Sequence, residues 1–182
     1  MKEYYKNIPI EDMLDFEAFY DMIANGLQDG SRVIEIGLSN GRSLIYLASK
    51  LQSLGKDCRV IGVDSMAYGK DKQRNEIIQH IINSGEKIEL FEMSSLDAST
   101  MFPDGYFDFV FIDSSHTYEQ TKAEIILWQR KLKDNRILAG HDYNFAEGKE
   151  VLQAVNEILG SDNIITYPTR NDFHVWYKLK QC

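Results

Sequence analysis

Cysteine is scarce in this chain: Cys58 and Cys182 are the only two, and they form neither a disulfide framework nor a thiolate metal pattern. That usage fits a reducing compartment, and a cytoplasmic protein is expected. No apolar run approaches the roughly 20 residues that cross a bilayer, so no membrane span is expected. The opening Met1-Lys2-Glu3-Tyr4-Tyr5-Lys6 leads into acidic, amphipathic sequence, unlike a secretory leader. Positive charge is in deficit: 20 Lys and Arg stand against 28 Asp and Glu, for a net charge of -8. The basic residues are also scattered, so a nucleic-acid partner, which needs a basic face, is not expected. Internal repeats are absent, and so is the G-x-G-x-x-G of dinucleotide enzymes. What remains, 43% hydrophobic and 26% charged over 182 residues, is enough for one domain (1–182) with a sizeable core.

Apolar spacing resolves that domain into alternating elements. Met13, Phe16, Tyr20, Ile23 and Leu27 recur at helical spacing, so residues 1–30 read as a leading helical segment over the site. Strands are then expected at 32–36, 59–63, 87–93, 107–112 and 136–139, with helices at 43–54, 71–83, 117–132 and 147–159 between and after them. Strands separated by helices pair in parallel through right-handed crossovers, which predicts a doubly wound α/β sheet with ligands at the strands' C-terminal ends. The segments 163–167 and 172–179 are joined too closely for a crossover and should form an antiparallel hairpin.

The first strand runs into Glu35-Ile36-Gly37-Leu38-Ser39-Asn40-Gly41-Arg42-Ser43, an acid and two glycines ahead of a helix that Ser43 could cap. A pyrophosphate at this helix N-terminus would be repelled by Glu35, whereas a ligand with a positive end, such as S-adenosylmethionine, would suit it. The second strand ends in Asp64-Ser65, an acid placed to accept both hydroxyl hydrogens of a ribose. An Asp that only caps a turn is the alternative at that position.

These features, with Phe109-Val-Phe-Ile-Asp113-Ser-Ser-His116-Thr-Tyr118 and Ile137-Leu-Ala-Gly140-His141-Asp142-Tyr143, resemble a class I S-adenosylmethionine-dependent methyltransferase. Within that class the chain is similar to the small methyltransferase-domain family related to macrocin-type and catechol-type O-methyltransferases. The resemblance implies a Rossmann-like sheet of seven strands in the order 3-2-1-4-5-7-6, the last two a hairpin. It also implies S-adenosylmethionine as cofactor, its methionine end at Glu35, Gly37, Ser39, Asn40, Gly41 and Ser43, and its ribose at Asp64 and Ser65. Ser95 would lie at the adenine edge, with a helix N-cap as its other reading, and Asp113 would face the methyl group.

Catechol-type enzymes place a lysine base three residues beyond the aspartate of strand four, and here His116 holds that position after Asp113. Its ordinary pKa of about 6.5 suits a proton acceptor. Where those enzymes carry an Asp-Asn metal pair after strand five, this chain has His141-Asp142. Asp113, His141 and Asp142 could therefore hold a divalent metal such as Mg²⁺ or Mn²⁺, the imidazole favouring the latter. O-methylation of a sugar or other hydroxylated small molecule is the expected activity. Two other readings stay open: a binding protein without transfer activity, and a nicotinamide oxidoreductase that the missing glycine pattern disfavours. Tyr68, Tyr143 and Phe145 could wall an acceptor pocket or belong to a homodimer contact.

Overall fold

The computed structural model describes residues 4–8, 14–66, 71–144, 149–170 and 172–181. A 3₁₀ turn at Tyr4–Asn7 precedes six helices: α1 (Glu17–Gly26), α2 (Arg42–Ser53), α3 (Asp71–Ser84), α4 (Ser95–Thr100), α5 (Tyr118–Lys131) and α6 (Glu150–Leu159). A second 3₁₀ turn spans Ser161–Asn163. The strands are β1 (Arg32–Ile36), β2 (Arg59–Asp64), β3 (Ile88–Glu92), β4 (Phe107–Ile112), β5 (Leu132–Gly140), β6 (Ile165–Tyr167) and β7 (Val175–Leu179). They form one sheet in the order β3-β2-β1-β4-β5-β7-β6, parallel from β3 to β5, with β7 antiparallel to both β5 and β6. The expected doubly wound topology and terminal hairpin are present.

The two sheet faces bury separate apolar layers, because successive strand residues point to opposite sides. Val33, Phe109 and Phe111 pack under α1, α2 and α3, whereas Ile34, Ile36, Val110 and Ile112 pack under α4, α5 and α6. Strand order reverses at β1 and β4, and a cleft opens above their C-terminal ends, as the crossover rule requires.

Three local expectations need correction. Helix α2 begins at Arg42, and Ser43 does not cap it: Gly41 sits at the N-cap with φ 82°, and the Asn40 side chain accepts the Arg42 N–H at 3.1 Å. The cap of α4 is Ser94, which accepts the Asp97 N–H, so the N-cap alternative for Ser95 fails by one residue. Strand β5 is longer than 136–139 and follows α5 without a loop, absorbing Leu132-Lys133-Asp134-Asn135 at a register shift against β4. Tyr68, Phe145 and Met13 lie outside the described residues.

Candidate active site

Backbone bonds first bring the three central strand ends together. Gly37 N–H donates to Val63 carbonyl at 2.8 Å, Asp113 N–H to Ile36 carbonyl at 2.7 Å, and His141 N–H to Ile112 carbonyl at 3.1 Å. The turn after β1 passes so close to the end of β4 that a Cβ on Gly37 would lie 2.0 Å from the Asp113 carbonyl oxygen. Only glycine fits, because it has no Cβ and tolerates φ of 85°.

Above these ends lies a cleft of about 660 Å³ whose walls include Gly37, Ser39, Ser43, Asp64, Ser65, Ser95, Asp113, His116, His141 and Asp142. Most of the residues expected to bind therefore share one cavity. Glu35, Asn40 and Gly41 are not among its wall residues. Glu35 is buried beneath it, accepting hydrogen bonds from Tyr20 Oη at 2.8 Å and from the Ser43 hydroxyl. Burial, then the neighbouring Glu35 carboxylate, pushes the Tyr20 hydroxyl well above its ordinary pKa, so it stays a donor. Glu35 thus reaches the cleft through Ser43. Asp64 accepts the Leu38 N–H at 2.9 Å and the Met66 N–H at 2.7 Å, one on each oxygen, which holds the carboxylate in a set orientation at the cavity edge.

At the opposite wall, four titratable side chains and one from the leading segment form a continuous cluster. His116 Nε2 lies 2.9 Å from Asp142 Oδ2, and His141 Nδ1 lies 3.4 Å from the same oxygen and 4.0 Å from Asp113 Oδ1. On its far side His141 Nε2 stands 3.3 Å from Asp15 Oδ1. Burial and the adjacent Asp142 push Asp113 up to about 7, against the lowering pull of both imidazoles. Burial opposes the charge on His141, yet Asp142, Asp15 and Asp113 raise it to about 10. Burial likewise opposes the Asp142 charge, but the two histidines hold its carboxyl well below the usual carboxylate range. His116 is raised chiefly by its bond to Asp142, so its imidazole is more basic than the ordinary value expected from sequence.

Asp113, His141 and Asp142 can each turn a ligand atom to within 4.8 Å of the others. Asp142 Oδ1 is buried without a hydrogen-bond partner, as a carboxylate with room for a cation would be. The two carboxylates and imidazole thus fit a divalent ion.

Several residues near the cleft escaped the sequence reading. Phe16 lines it from the leading segment, its ring 4.9 Å from the His141 ring, and Asp15 stands behind His141. Ser114, Gln120 and Glu124 line it from the end of β4 and from α5. For Glu124 a signal existed: it falls on the same stripe as Thr121, Ile125 and Trp128, all buried, where a carboxylate has no reason to be unless something holds it. Tyr143 is not on the cleft wall; its hydroxyl donates to Asn156 Oδ1 at 2.6 Å and ties the end of β5 to α6. Tyr118 similarly bonds Glu157 and Lys122, consistent with a packing role. Of the other histidines, His80 meets the Tyr4 hydroxyl at 3.3 Å and His174 donates its backbone N–H to Asn144, so neither joins the cluster.

Comparison with known proteins places this architecture. The sequence profile of the methyltransferase domain family matches residues 34–143, most of the chain and all of the cleft's strand ends. The chain belongs to that family, and it is an S-adenosylmethionine-dependent methyltransferase of class I. No curated protein matches it in sequence. Among solved structures, the cofactor-bound Rv0187 from MTB is 20% identical with TM-score 0.70, covering 94% of this chain and 82% of the other. The O-methyltransferase from Bacillus cereus in complex with SAH is 16% identical with TM-score 0.69, over 98% and 87% of the two chains. A SAM-dependent methyltransferase from Aquifex aeolicus is 18% identical with TM-score 0.62, over 93% of each. At these identities the likeness is one of fold. Among the described residues, no helix is long and apolar enough to cross a membrane.

Proposed function

We propose that the protein transfers a methyl group to a hydroxyl of a small molecule, with His116 as proton acceptor and Asp113, His141 and Asp142 as a cation site. The observation that carries this reading is that one cleft holds both Asp64 with the glycine turn and the Asp113–His116–His141–Asp142 cluster. When bound, S-adenosylmethionine supplies an electrophilic methyl on a sulfonium. Transfer to a hydroxyl would exchange the C–S bond for a C–O bond and release the hydroxyl proton, so the part left to this chain is to align the acceptor and take that proton.

Asp64 would receive the ribose hydroxyls on the lone pairs that Leu38 and Met66 leave, and Ser39 and Ser43 would face the methionine end. His116 holds a proton at Nε2 toward Asp142 Oδ2, which makes Nδ1 the basic nitrogen for the acceptor hydroxyl. Asp142 stabilises the imidazolium that results, because its charge persists throughout the neutral range. A divalent cation, when bound, supplies Lewis-acid polarisation of the acceptor hydroxyl. A second reading has its own observation: His141, held protonated between Asp15 and Asp142, is a built-in cation that makes a metal unnecessary.

Thermal melts with S-adenosylhomocysteine and with NAD, followed by transfer assays on hydroxylated acceptors before and after chelation, test these readings. Stabilisation by the homocysteine nucleoside alone is expected, about 2.7 kcal/mol at 100 times its dissociation constant. Loss of transfer on chelation, restored by Mn²⁺, supports the cation site. Full transfer with no metal found by elemental analysis supports His141 as the cation.

A further inference from the structure

One buried carboxyl group in the cleft wall has no part in the chemistry above; burial pushes its pKa up, and three hydrogen-bond donors pull it back toward the charged form. Glu124, on α5, has no exposed surface. Its Oε2 accepts the Ser114 hydroxyl at 2.6 Å, and its Oε1 accepts the Gln120 side-chain amide at 2.9 Å. Ser95 hydrogen-bonds the same carboxylate, while its own oxygen accepts Trp128 Nε1–H at 2.9 Å. All three partners of the carboxylate are wall residues of the cleft.

A carboxylate only accepts, so every neighbour that bonds it turns a donor inward. Ser114 has a single O–H and commits it to Glu124. Gln120 commits one of its two amide N–H groups, which leaves its carbonyl and its second N–H. Ser95 has its O–H engaged by Glu124 and one lone pair engaged by Trp128. What Ser95 and Ser114 have left for the cleft is therefore lone pairs alone.

We propose that Glu124 is a positioning residue that programmes this end of the cleft as an acceptor surface, selecting a nucleoside base with an exocyclic amine over one with a carbonyl at the same position. The proposal rests on the cofactor placement above: with the ribose at Asp64, Ser95 and Ser114 face the base end. An amine presents N–H groups to these lone pairs. A carbonyl presents lone pairs of its own and leaves buried acceptors unpaired, the kind of mismatch that binding sites reject most strongly.

Calorimetric titration is the test, with S-adenosylhomocysteine and S-inosylhomocysteine, which differ by amine against carbonyl at one ring carbon and by a lone pair against an N–H at the adjacent ring nitrogen. The intact protein should prefer the amine by about tenfold or more. In Glu124→Gln the introduced amide can donate to Ser114 and release its O–H toward the cleft, so the preference should fall to within about threefold. Ser114→Ala removes one of the acceptors directly, and its preference should fall as well; this variant carries the test if Glu124→Gln does not melt cooperatively. A preference near one in the intact protein, or one retained in both folded variants, overturns the inference while leaving the cofactor site standing. Failure of both nucleosides to bind overturns the placement, and this inference with it.

Discussion

In the proposed mechanism His116 is the proton acceptor; its Nε2 lies 2.9 Å from Asp142 Oδ2, and 39% of the side chain is open to solvent. His116→Gln keeps the size and a polar end but cannot take up a proton. It is expected to lower kcat by about 10² to 10⁴ while leaving cofactor affinity nearly unchanged. Steady-state kinetics beside S-adenosylhomocysteine titration checks this; an unaltered kcat would move the acceptor role to another group. The type and spacing of Asp113 and His116 were legible in sequence, because both stand at the end of an apolar strand. The influence of Asp142 on His116 was not, since a distance of 2.9 Å between groups on two strand ends has no local signature. Glu35 makes the same point: its identity pointed at a ligand, yet its two oxygens face Tyr20 and Ser43.

Among the elements, β5 departs furthest from its sequence signal. Lys133-Asp134-Asn135 has no apolar residue and reads as a loop ahead of the strand expected from Arg136, but tertiary partners hold it in the sheet. Asn135, at φ 57°, donates its N–H to the Lys180 carbonyl at 2.8 Å, and Lys180 N–H returns to the Arg136 carbonyl at 2.8 Å. Buried Asp108 on β4 lies 2.8 Å from Lys133 Nζ and 3.4 Å from Arg136 Nε, and accepts the Arg32 N–H at 3.0 Å. Burial opposes the Asp108 charge, but these partners together hold its carboxyl below the usual carboxylate range. A depressed pKa contributes stability that is present above the unfolded value of about 3.9 and disappears as pH falls through the folded one. Asp108→Asn is therefore expected to cost about 2 to 3 kcal/mol at pH 7, and less as the pH is taken below about 4. Urea melts of both proteins across pH 3 to 7 check the narrowing gap; a constant gap would assign the loss to shape rather than charge.

Over the whole molecule, the described residues of the leading segment pack against the strand ends beside the cleft. Phe16 packs at 5.1 Å from both Phe111 and Tyr20, and its ring also meets His141. Arg170, beyond β6, donates to the Leu14 carbonyl at 3.0 Å and pairs with Glu17 at 3.1 Å, joining the hairpin end of the sheet to the same segment. Stability and site closure are coupled here, because Phe16 is 2% exposed and also a wall of the cleft. Phe16→Ala is expected to cost about 3 to 5 kcal/mol by leaving a cavity. It should also raise KM for the acceptor more than it changes the affinity for S-adenosylhomocysteine, which denaturant melts and acceptor titration measure independently. Equal losses for both ligands would mean that the segment supports the cleft as a whole and does not border the acceptor.

The amino-acid sequence by itself determined the alternation of strands and helices, the glycine turn, the terminal hairpin and the chemical types gathered at the strand ends. Each of these is written in local terms: apolar periodicity, a residue without Cβ, a connection too short for a crossover. Only the tertiary structure decided which carboxylates face the cleft and which lie below it, that Asp15 reaches His141, and that Glu124 governs the hydrogens of Ser95, Ser114 and Gln120. Those outcomes depend on which side of an element a polar group emerges and on what burial leaves within about 3 Å of it, and hydrogen bonding and desolvation act over that distance whatever the separation along the chain.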